Sequence, residues 1–138
     1  VQPIPFSRYR DAGVLLLRLA FGFQLVKVSW QNALFPRENL PEFERYLTSL
    51  GFPFPWVGVV LASYTEFLGG ILLILGLFMR WANGALIVNF TLALLFAHLA
   101  IHDSYGNTMP SLNLLAVNWF LLLNGPGAYS LDARLGRA

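Results

Sequence analysis

Four stretches of this sequence are each about as long as a bilayer's hydrocarbon core requires, and that feature leaves few folds open. Crossing the core takes about 20 predominantly apolar residues in a helix. The stretches run from about Ala12 to Phe35, Trp56 to Met79, Trp81 to Ile101 and Pro110 to Asn124. In lipid every backbone polar group must find its partner within the protein, which leaves helices or a closed barrel. No period-two alternation is present, so the expectation is an all-α integral membrane four-helix bundle, one domain over residues 1–138. Composition agrees, with 57% hydrophobic and only 12% charged residues. Soluble domains carry about 25% charged residues, so this chain lacks the charges to coat a globule.

Several function classes drop out on the same grounds. With Cys 0 there is no disulfide, thiolate metal site, iron–sulfur ligation or chain-borne persulfide. A net charge of +2, without a basic run interleaved with aromatics, does not suit nucleic acid. There is no phosphate-binding loop, dinucleotide fingerprint or nucleophile elbow, and the two histidines, four residues apart, do not suit a haem sandwich, so neither flavin nor haem is expected on this chain. The opening Val1-Gln2-Pro3-Ile4-Pro5 does not read as a cleavable leader.

The connections carry further information. Between the first two spans, Leu40 to Gly51 reads as a short amphipathic helix. Pro41 and the acidic Glu42 and Glu44 suit its start, Gly51 its end, and Leu40, Phe43, Leu47 and Leu50 its apolar face. Phe52-Pro53-Phe54-Pro55 is expected to be extended. His102 to Thr108 reads as a turn-rich loop, and Ser130 as the N-cap of a short tail helix with Asp132 in its first turn. The face with both termini would carry Arg8, Arg10, Arg80, Arg134 and Arg137, against Arg37 and Arg45 opposite. By the positive-inside rule both termini are expected to be cytoplasmic, in the inner membrane of a prokaryote.

Ionisable groups within a span mark either function or a buried pair. Here they are Arg18, Lys27, Glu66 and His98. At about 1.5 Å of rise per residue, Lys27 lies ~10 Å, Glu66 ~15 Å, His98 ~5 Å and Asn118 ~12 Å from the outer ends of their spans. These polar groups are therefore expected to converge. Gly58, Ala62, Glu66 and Gly70 form a small-residue stripe that favours close helix approach. Gly13, Ala20, Gln24, Lys27 and Gln31 share a face of the first span, which makes Lys27 and Glu66 an expected ion pair, either catalytic or merely a lock between helices. His98 and His102, four residues apart, are candidate metal ligands with Glu66 or Asp103 as a third. His98 alone suits a proton relay, a substrate anchor or a packing role. Arg18 either snorkels to inner phosphates or pairs with Asn89 to hold a quinone carbonyl or an anion.

The stretches Leu17-Arg18-Leu19-Ala20-Phe21-Gly22 with Lys27, Leu50 to Pro55, Glu66-Phe67-Leu68-Gly69-Gly70 through Arg80, and Gly125 to Asp132 resemble the DoxX family of small four-helix membrane proteins. The resemblance spans nearly the whole chain and is most specific in the Glu66–Arg80 block. It implies similarity to the large subunit of a thiosulfate:quinone oxidoreductase, or to membrane partners of redox and respiratory enzymes. On that reading Lys27, Glu66 and His98 are catalytic, with Lys27 attracting an anionic donor and Glu66 and His98 moving protons. Arg18, Asn118 and Gln24 bind substrate, and quinone is the co-substrate. The expected partners are the lipid bilayer, other respiratory or redox subunits, or further copies of the chain. A non-catalytic accessory subunit and, in an oligomer, a small-solute pathway are the other readings.

Overall fold

A computed structural model describes residues 9–137. Arg8 and the opening residues 1–5 lie outside the described residues. Helix α1 spans Arg10–Leu34, α2 Pro36–Ser49, α3 Pro55–Leu75 and α4 Met79–Ala93, the last continuing as a π-helix over Leu94–Leu99. Helix α5 spans Tyr105–Asn124 and α6 Leu131–Arg134, and no strand occurs among the described residues. The expected class is therefore observed: four long helices, with the short α2 between the first two. Helices α1, α3 and the continuous Met79–Leu99 segment are long and apolar enough to cross a membrane. Helix α5 has the length, but Asn107, Asn113, Asn118 and Asn124 lower its apolarity.

Several boundaries differ from expectation for local reasons. Helix α2 begins at Pro36 in its first turn, and Pro41 lies inside it. Asn39 joins it to α1, its Nδ2 donating to the Gln31 and Phe35 carbonyls. Phe54 adopts a left-handed φ of 52° immediately before α3, so the Pro-rich return bends where an extended run was expected. Helix α5 starts five residues ahead of Pro110, because Ser104 Oγ accepts from Asn107 N at 3.2 Å and caps it there. Ser130 caps α6 as expected, accepting from Ala133 N at 3.1 Å.

Helix α1 packs on α3, α3 on α4 and α4 on α5, while α2 lies against α3 and α1. The face of α1 that packs is Val14, Arg18, Gly22, Leu25, Ser29 and Ala33. The face expected to pack is the exposed one: Gly13, Ala20, Gln24, Lys27 and Gln31 are all exposed. On this helix close approach, and not polarity, marks the packing face. A Cβ on Gly22 would lie 2.8 Å from the Gly70 carbonyl oxygen, and one on Gly70 2.9 Å from that of Gly22. The two backbones therefore touch, and Gly70 of the expected stripe is part of the contact. Leu25, Leu73, Leu86, Phe90, Leu114 and Leu121 fill the centre.

Candidate functional site

Both described chain ends lie at one end of the bundle, where Arg10 bonds the Asn124 side chain and Ala128 N donates to Asp11 Oδ1 at 3.1 Å. At this terminal end Arg18 is 1% exposed, so it does not snorkel. Its Nε donates to Leu73 O (2.9 Å), Nη2 to Ile74 O (3.1 Å) and Nη1 to Pro126 O (2.9 Å) and Tyr129 O (3.0 Å). Asn89 is not in that set; it bonds Glu66 instead. The first two carbonyls end α3, where a helix leaves acceptors unpaired and carries partial negative charge. Gly76, at φ 67°, closes the helix: a Cβ there would meet Ser130 Cβ at 2.5 Å and Arg18 Nη2 at 2.7 Å. Asp132 then caps α4, with Oδ1 accepting from Phe78 N and Oδ2 from Met79 N, both at 2.9 Å. Arg18 and Asp132 thus clamp the α3–α4 turn to the C-terminal segment.

Toward the other end, a cavity of about 540 Å³ opens between the helices. Phe21, Gln24 and Val28 of α1, Glu66 of α3, Phe90 of α4 and the Met109–Leu114 stretch of α5 supply its walls. Most of the lining is apolar, with Gln24, Glu66, Ser111 and Asn113 as polar points. Glu66 Oε1 accepts from Asn89 Nδ2 at 3.0 Å, which ties α3 to α4. No ion pair joins Glu66 to Lys27 among the described residues; Lys27 is exposed and outside the cavity wall. Asn118 is fully buried, its Nδ2 donates to the Leu114 carbonyl at 2.7 Å, and it too lies outside that wall.

A hydrogen-bonded line leads from this cavity to the surface. The His98 Nδ1–H donates to Asp103 Oδ2 at 2.9 Å, and Nε2 is hydrogen-bonded to Ser111 Oγ at 3.4 Å. Ser111 is a wall of the cavity. Asp103 is fixed in turn: its Oδ1 accepts from Ser104 N at 2.8 Å and from Asn107 Nδ2 at 3.1 Å. The Asn107 bond chiefly, with those from His98 and Ser104, holds the Asp103 carboxyl below its ordinary range. His98 belongs to the π-helical segment and His102 sits in a left-handed turn at φ 53°, so the α-helical phase that aligned them does not apply. No group of three His, Cys, Asp or Glu side chains suited to a metal occurs among the described residues, and both His98 nitrogens are engaged.

The structure therefore brings Gln24 and Glu66 to one cavity and His98 to its edge, and separates Lys27, Arg18 and Asn118 from it. Sequence reasoning missed Ser111, Asn113 and the Glu66–Asn89 pairing. The only available signal was that Ser111 and Asn113, near the start of the fourth span, lie at the same membrane depth as His98. It also missed that Asp132 caps α4 as well as serving its own helix. Chemically, a mostly apolar cleft that holds a carboxyl, and whose wall also carries a hydroxyl bonded to an imidazole and through it to a surface carboxylate, can bind a polar headgroup and exchange protons.

The comparisons with known proteins agree with this architecture. The inner membrane protein YqjF of Escherichia coli (strain K12) is 27% identical over 137 residues, covering 95% of this chain and 98% of that protein. No solved structure matches. The DoxX family model matches residues 13–99, which hold α1 through the π-helical end of the third span, including Glu66, Asn89 and His98. With that match over more than half its length, this multi-pass membrane protein belongs to the DoxX family.

Proposed function

We propose that this chain is a quinone-linked redox protein of the inner membrane, or the quinone-binding subunit of such an enzyme. The observation that carries this reading is Glu66 in the wall of a 540 Å³ interhelical cavity otherwise lined mainly by apolar and aromatic side chains. Small-molecule sites are clefts of about 300–1,000 Å³ with a few placed polar groups, and a quinone ring with its two carbonyls fits that description. Reduction to the quinol consumes two electrons and two protons. Electrons come from a partner that oxidises a reduced sulfur anion such as thiosulfate, since this chain has no cysteine. Glu66 delivers a proton to the bound headgroup, and Ser111, His98 and Asp103 connect the cavity to the surface. The inner-membrane relative supports the choice of membrane, and the lysine and arginine distribution supports cytoplasmic termini.

A second reading rests on the Glu66–Asn89 bond, which links α3 to α4 and serves a non-catalytic accessory subunit equally well. Glu66→Gln separates the two, because the glutamine carbonyl still accepts from Asn89 while the ionisable group is lost. Titration of the protein in nanodiscs with a short-chain quinone, followed by tryptophan quenching, is expected to show saturable binding that the variant weakens about tenfold, one hydrogen bond's worth. Absence of saturable binding to the unaltered protein would leave the accessory reading.

A further inference from the structure

At the terminal end, Arg80 and Arg137 line a second cavity of about 490 Å³ together with Trp81 and the ends of α4 and α5. Neither guanidinium has a carboxylate partner among the described residues; the one ion pair there is His98–Asp103 at the other end. Arg137 is held in place, its Cζ 4.5 Å from the centre of the Phe78 ring and its backbone N–H donating to Asp132 O at 2.7 Å. Asp132 is the acidic side chain in the wall, and both its oxygens are already bonded to Phe78 N and Met79 N. Two guanidinium forks without a carboxylate partner, one of them held over the Phe78 ring, beside an apolar wall suit a phosphate-bearing group.

The same region continues along the lipid-facing surface of α4. Trp81, 76% exposed, stands between two grooves. One, about 280 Å³, runs between α3 and α4 past Tyr64, Leu68 and Ala85; the other, about 440 Å³, follows Arg80, Gly84 and Val88. A Cβ added to Gly84 would meet nothing within 4 Å. Both grooves share Trp81 with the arginine cavity. We propose that this is the seat of one anionic phospholipid, its headgroup phosphate between Arg80 and Arg137 and its two acyl chains in the grooves on either side of Trp81. Small residues on an exposed helix also suit a second copy of the chain, but a second copy supplies no phosphate for the arginines. Arginines at a bilayer surface select anionic headgroups in the way this seat requires.

Native mass spectrometry of the full chain in detergent, titrated with an equimolar mixture of phosphatidylglycerol and phosphatidylcholine, tests the assignment. One phosphatidylglycerol per chain is expected, preferred about tenfold or more over phosphatidylcholine. The double variant Arg80→Gln, Arg137→Gln is expected to bring the two lipids to parity, while Gly84→Leu weakens both and keeps the preference. Equal retention of the two lipids by the unaltered protein, which needs no variant to fold, overturns the proposal. So does displacement of phosphatidylglycerol by millimolar inorganic phosphate, which would make the ligand a soluble anion. A dimer that Gly84→Leu dissociates without changing lipid retention would assign the groove to a second copy, and the proposal would again fail.

Discussion

Arg18 and Glu66 are both ionisable residues in apolar helices, and their surroundings divide them by role. Arg18 is bonded to four carbonyl oxygens and is almost inaccessible, whereas Glu66 has one side-chain partner and a cavity before it. Arg18→Met should therefore lower stability by roughly 3 kcal/mol, the worth of one or two charge-assisted bonds, as read from thermal unfolding. Because Arg18 lies outside the Glu66 cavity, quinone affinity of the folded fraction should not change. Asp103 supplies a pH dependence. Its carboxyl is held below the ordinary range in the folded protein, so its contribution to stability is complete above that range and is lost as pH falls through the lowered value. The stability gap between the unaltered protein and Asp103→Asn should thus be widest near neutrality and close on acidification below the ordinary carboxylate range. That Arg18, Glu66 and His98 were the exceptional residues was legible in the sequence. Their partners were not, because every residue offers a carbonyl and only the fold decides which ones gather at Arg18.

At the scale of elements, the bundle depends on the Gly22–Gly70 contact, where α1 and α3 meet backbone to backbone. Gly22→Leu must push the helices apart and should cost about 1–3 kcal/mol, the usual range for overpacking. Gly84→Leu, on an open face, should cost far less in the same unfolding experiment. The number and type of long helices could be read from the lengths of the apolar runs. The facing of α1 could not, since its polar residues lie mostly on the exposed side and the packing side is marked by Gly22 and the buried Arg18. The π-helical turn at Leu94–Leu99 was likewise invisible, and it undid the expected alignment of His98 with His102. π-Turns recur at functional sites, and here the turn carries the imidazole that reaches both Asp103 and Ser111.

Across the whole molecule the two ends differ in kind. The terminal end is fastened by Arg18, Gly76 and Asp132, which tie the last residues of the chain to the α3–α4 turn. The other half holds a polar-pointed cavity, a hydrogen-bonded line to the surface and the short α2, whose Leu40 is buried. Phe52 stacks edge-on to Phe96, with ring centres 5.2 Å apart, which joins the α2–α3 connection to the π-helical end. Such a division suits a protein that keeps a rigid base and takes its quinone in the half away from the termini. Photolabelling in nanodiscs with an azido-quinone, followed by peptide mapping, tests that claim most directly. The account predicts label on the segments holding Phe21–Val28 and Met109–Leu114, competed away by unlabelled quinone and diminished in Glu66→Gln. Label confined to the exposed face of α4, or label indifferent to competitor, would contradict it.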